Sequence, residues 1–106
     1  VMCLSKYKLK SRQEFRNLMQ IPGFYEFAKP AYDFLEVMEE GTVFNFAAKC
    51  QDEQKLEWFI KVACLFINCG HFEYEFNDDY TKIRRKRLTT VEIKWKEEYY
   101  KKLRNS

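Results

Sequence analysis

The chain has 106 residues, of which 46% are hydrophobic and 18% aromatic, and a formal net charge of +3. That length holds one hydrophobic core and not two, and ten Phe, seven Tyr and two Trp exclude a disordered chain. The charge is polarised: net +4 over residues 1–20, −5 over 21–60, −3 over 61–80 and +7 over 81–106. Basic ends flank an acidic middle, which suits a polyanion partner or complementarity within and between chains.

Residues 1–10 lack the apolar stretch of a secretory leader and place Leu4, Tyr7 and Leu9 among lysines. They read as a short strand or a basic arm. Ser11 and Glu14 have the spacing of a capping box, and Phe15, Leu18 and Met19 then recur at helical spacing until Pro22-Gly23. Residues 24–29 form a short aromatic segment. Pro30 predicts the first turn of the next helix, whose apolar face is Ala31, Phe34, Leu35 and Met38 and whose stop is Gly41. Residues 42–50 fit either a short helix or an extended piece. Asp52 is a good cap for a long helix over 53–68, apolar on most of its circumference, with Gln54, Glu57, Lys61 and Asn68 as a narrow polar edge.

Residues 71–76 alternate with period two, Asn77-Asp78-Asp79 supplies turn chemistry, and 81–88 returns as a second strand. A loop over 77–80 pairs Phe76 with Thr81, Glu75 with Lys82, Tyr74 with Ile83 and Glu73 with Arg84. Thr89 and Glu92 form a second capping box ahead of a basic amphipathic helix to about residue 104, with Val91, Trp95, Tyr99 and Leu103 at successive i+4 positions. The fold class expected is α+β, mainly helical, in one domain over 1–106.

Cys3, Cys50, Cys64 and Cys69 lack the density of a secreted disulfide framework, and three of them adjoin apolar segments. This predicts a reduced, cytoplasmic, soluble protein. The longest apolar run, 58–67, is broken by Lys61 and is far shorter than the roughly 20 residues of a membrane span, so no membrane partner is expected. Cys64, Cys69 and His71 lack paired zinc-ligand spacing, so no metal is expected. Cys69 and His71 straddle a predicted helix end, a placement that allows a nucleophilic pair but is not specific for one. No glycine-rich phosphate loop or nucleophile elbow occurs, and neither a cofactor nor an enzymatic activity is expected. The distinctive local feature is the cationic run Lys82, Arg84, Arg85, Lys86 and Arg87, interrupted only by Ile83.

The order helix 30–40, short helix 42–50, helix 52–69 and hairpin 71–88 resembles a winged helix-turn-helix domain over residues 30–88, with an added basic C-terminal helix over 89–104. The resemblance implies a three-helix core, residues 52–69 as the recognition helix, and the hairpin as a wing whose contacts are Lys82, Arg84, Arg85, Lys86 and Arg87. The departure lies in helix 52–69, which is too apolar and too acidic for a reader of base edges. Two functions follow as expectations. One is nucleic-acid (DNA) binding through phosphate contacts from residues 82–87 together with Lys94, Lys101 and Lys102. The other is an interaction module, either meeting an acidic protein or forming a homodimer, with Trp95, Tyr99 and Tyr100 as its surface.

Overall fold

A computed structural model describes residues 3–105. After a 3-10 turn over Leu4–Tyr7, its elements are α1 (Arg12–Leu18), α2 (Phe24–Glu36), β1 (Val43–Phe44), α3 (Phe46–Lys49), α4 (Glu53–Asn68), β2 (Tyr74–Phe76), β3 (Ile83–Arg85) and α5 (Thr90–Asn105). The fold is α+β and mainly helical, with a three-stranded antiparallel sheet in the order β1-β3-β2.

Both capping hydroxyls act, but only the second box closes, since the Glu14 carboxylate accepts from Lys10 N at 3.3 Å. Ser11 Oγ accepts from Glu14 N at 3.1 Å. The Thr89 box is reciprocal: Thr89 Oγ1 accepts from Glu92 N at 3.2 Å, and Glu92 Oε1 accepts from Thr89 N at 3.0 Å. Helix α2 begins six residues earlier than Pro30 predicts, at Phe24, with Gly23 at φ 88° as its cap. Pro30 therefore lies inside the helix and withholds one backbone donor. Phe24 and Ala28 are buried with Ala31 and Leu35, so the apolar stripe crosses the proline, and its burial outweighs one lost hydrogen bond. Residues 42–50 take both forms offered for them. They make strand β1, then helix α3, divided at Asn45, whose side chain accepts from Ala48 N at 3.1 Å.

The hairpin forms, but the pairing differs from the expected one: Tyr74 faces Arg85, Glu75 faces Arg84 and Phe76 faces Ile83. The turn closes one residue later because Asn77 N donates to Lys82 O at 3.1 Å, while Asn77 Oδ1 accepts from Thr81 N and Lys82 N. Each cross-strand partner shifts by two, so side chains keep their faces.

Helix α4 is the centre of the core. Trp58 meets Phe24 and Phe27 of α2, Phe59 meets Phe44 and Phe46, and Phe66 meets Tyr32 and Tyr74. Residues 3–9 do not stand away as an arm: Leu4, Tyr7 and Leu9 pack on this core, and Leu4 N donates to Asp79 O at 2.8 Å. They cover the side of α4 that holds Lys61. Expected on an exposed polar edge, Lys61 is 5% exposed. Its Nζ donates to Tyr7 O at 3.0 Å and to Glu14 Oε1 at 2.6 Å, with Glu57 at 3.8 Å.

A buried ammonium stripped of its carboxylate is costly, while a better-exposed carboxylate recovers water. Glu14→Ala should therefore destabilise the fold by about 2–3 kcal/mol and Lys61→Met by clearly less, measured by urea unfolding. Lys61 holds the Glu14 carboxyl below the ordinary 4.5. The pair's contribution is accordingly whole above that value and is lost as pH falls through the lowered folded-state pKa. Glu14→Gln should flatten the decline in stability between about pH 5 and pH 2; a decline as steep as that of the unsubstituted chain would assign the acid sensitivity to other carboxylates.

Candidate interaction surface

The five cations of the hairpin do not share one free face. Strand alternation turns Ile83 into the core, and Arg85, two residues on, follows it. The Arg85 guanidinium lies 5.5 Å from the centre of the Tyr74 ring, Nη1 donates to Met38 O, and Nε is buried without a partner. On the outer face Arg84 pairs with Glu75. Lys86 pairs with Glu92 at 3.0 Å and lies 3.8 Å from Glu75. Lys82 and Arg87 are exposed and make no ion pair among the described residues.

On α5, Lys94, Lys101 and Lys102 are exposed, again without an ion pair among the described residues. This helix buries no residue. It docks through polar side chains on one stripe: Lys96 Nζ donates to Glu73 Oε2 at 3.0 Å, and Tyr99 Oη donates to Asn68 O at 2.9 Å. Glu73 is 6% exposed. Burial pushes its carboxyl up, but a backbone N–H and the Lys96 ammonium outweigh burial and hold it below the ordinary value. Of the three aromatics expected at the surface, Tyr99 and Tyr100 are half-buried, Tyr99 edge-on to Phe72. Trp95 is 60% exposed and Val91 56%. Between Phe72, Trp95, Glu98, Tyr99 and Lys102 lies an open cleft of about 260 Å3.

All four cysteines are free; Cys64 is buried and Cys50 and Cys69 are half-buried. Burial raises the thiols of Cys50 and Cys64, which opposes thiolate chemistry there. His71 stacks on Phe66 at 3.7 Å, and burial lowers its pKa despite Glu73 nearby. Among the described residues no three or more His, Cys, Asp or Glu side chains gather as a metal site, and no helix is long and apolar enough to cross a membrane. No protein-family model, curated protein or solved structure matches the chain.

Sequence reasoning missed three partners: Glu92 for Lys86, the Met38 carbonyl for Arg85, and Glu73 for Lys96. Only the second had a signal, since the alternation that buries Ile83 also directs Arg85 inward. The docking of α5 has its own test at Gly70, which has φ 107° and lies under two tyrosines. A Cβ there would stand 2.9 Å from Tyr100 Oη and 3.1 Å from Tyr99 Cε1. Gly70→Ala should cost about 1–3 kcal/mol. Hydrogen exchange should then quicken over residues 96–103 while residues 58–64 keep their protection; unchanged exchange in α5 would remove this account of its docking.

Proposed function

We propose that the chain is a small, non-enzymatic protein-interaction module on a winged-helix-like body, with α5 as its docking element. The order helix, strand, helix, helix, hairpin and the sheet order β1-β3-β2 support the winged-helix-like reading. In that reading α4 takes the place of the recognition helix. Of its two cations, Lys61 lies beneath the N-terminal segment, and Lys55 is exposed beside Glu53 and the capping Asp52. Such a helix repels phosphate and offers little to base edges.

The observation that carries the reading is how the cations are used. Arg84, Lys86 and Lys96 are neutralised by Glu75, Glu92 and Glu73, and Arg85 turns inward. The basic run is thereby broken up, while α5 keeps Trp95 and Val91 in solvent. Exposed aromatics among charges are the usual anchors of protein interfaces.

A second reading, nucleic-acid binding through phosphates, is favoured by Lys82, Arg87, Lys94, Lys101 and Lys102, which carry no ion pair among the described residues. The two readings part in a salt series with duplex and single-stranded probes. Protein interaction predicts weak binding at low salt and a log–log slope shallower than about −2, whereas six phosphate contacts on duplex DNA give about −5. The steeper slope, reduced by neutralising Lys101 and Lys102, would replace the first reading with the second.

A further inference from the structure

The carboxylate that anchors α5 also faces the one side chain of this sequence that ordinarily titrates near neutral pH. We infer that His71 makes the docking of α5 sensitive to acid: the helix is held while the imidazole is neutral, and protonation of the imidazole loosens residues 96–103 from the body. This regulation of α5 holds whichever partner the helix meets.

One carboxylate has two claimants. Lys96 of α5 donates to both oxygens of Glu73, at 3.2 Å to Oε1 and 3.0 Å to Oε2. His71 Nδ1 lies 3.6 Å from the same Oε1. The imidazole is half-buried and stacked on Phe66, with ring centroids 3.7 Å apart and planes 13° apart, so turning it toward solvent would give up that stack. Gly70, its neighbour in the chain, lies under Tyr99 and Tyr100 of α5. An imidazolium formed here meets a carboxylate that Lys96 already engages, and it stands as a second cation near the Lys96 ammonium.

The other groups around the ring fix the sign. Burial and Lys96 oppose the proton, while Glu73 and, from α2, Glu36 attract it; the opposing pair prevails, and the ring titrates below the ordinary 6.5. Tyr74 of β2 is edge-on at 6.3 Å and stays neutral in this range, since burial pushes its hydroxyl up. Release of α5 takes the Lys96 ammonium away and leaves both Glu73 oxygens to the imidazolium, so the released state binds the proton more tightly. A state that binds a proton more tightly is favoured as pH falls. The docked arrangement is therefore whole above the released-state value and weakens as pH falls through it toward the lowered one. Glu73 and Glu92 stay ionised across this window, because both carboxyls are held below the ordinary 4.5, Glu73 by a backbone N–H and Lys96 against its burial, Glu92 by Thr89 and Lys86. The acid response of the dock therefore separates from that of its carboxylates.

Hydrogen exchange of the full chain, corrected for the intrinsic effect of pH on exchange, tests this. Between about pH 7.5 and about pH 5.5, protection over residues 96–103 should fall about threefold or more, while residues 58–64 keep theirs. His71→Phe keeps a ring on Phe66 and takes no proton, so protection over residues 96–103 should stay level between the two conditions. The chain has one histidine, which makes its ring signal in an NMR titration unambiguous. Lys96→Gln should move the midpoint of that titration upward, and this measurement decides the matter if His71→Phe does not fold. Level protection of α5 in the unsubstituted chain overturns the inference, as does an equal fall in His71→Phe. A loss shared equally by residues 58–64 overturns it too, by making the acid response one of the whole fold, and so does a midpoint that Lys96→Gln leaves in place or lowers.

Discussion

A helix that is apolar nearly all the way round must be covered from every side, and α4 imposes that requirement on the whole chain. Trp58, Phe59 and Phe66 point in different directions, and each needs its own wall. Helix α2 supplies the first, the β1–α3 segment the second, and Tyr32 with Tyr74 the third. Each aromatic so buried contributes about 1.5–3 kcal/mol. The remaining side holds Lys61, which apolar cover alone could not accommodate. The N-terminal turn and α1 close it with one carbonyl and one carboxylate, from Tyr7 and Glu14. Residues 3–18 thereby become part of the fold.

The charge polarity of the sequence reappears as internal pairing. Basic residues of the last quarter meet acids at Glu73 and Glu75, which precede them in the hairpin, and at Glu92, which follows. Exposed pairs such as Arg84–Glu75 add little to stability, with a median of about 0–1 kcal/mol. Their consequence is electrostatic: a positive run in sequence becomes a mixed surface in space. Blockwise charge therefore overstates the field that a partner meets.

The parts of the fold legible in the sequence were those written in local spacing. Ser11-Glu14 and Thr89-Glu92 announced helix starts, period two announced the hairpin, and the width of the apolar stripe announced α4 as the core. What escaped depended on distant partners. Pro30 looked like a helix start because its cost is local, while the burial of Phe24 and Ala28 that overrides it is tertiary. Lys61 looked like a solvated edge because nothing near it in sequence names Tyr7 or Glu14. The hairpin register turned on how the Asn77 side chain is used, which residue type alone leaves open. Of the candidate surface, Trp95 was legible as an exposed aromatic. The tying-up of Arg84, Arg85 and Lys86 was legible only in part, since Glu75 lay across the hairpin in either register but Glu92 and Met38 did not.

The exposure of Trp95 and Val91 follows from the way α5 is held. Their burial against the chain's own body would require the helix to roll about its axis. That roll would carry Lys96 away from Glu73, a carboxylate 6% exposed, and leave it charged and unpaired in the interior. Breaking such a pair costs about 3–5 kcal/mol, which offsets most of the roughly 3–6 kcal/mol that burying both side chains would return. The Tyr99–Asn68 hydrogen bond and the Thr89–Glu92 cap resist the same motion. Helix α5 is thus fixed in orientation by polar contacts on one stripe, and the apolar residues on the next are held facing outward by the stability of the fold itself.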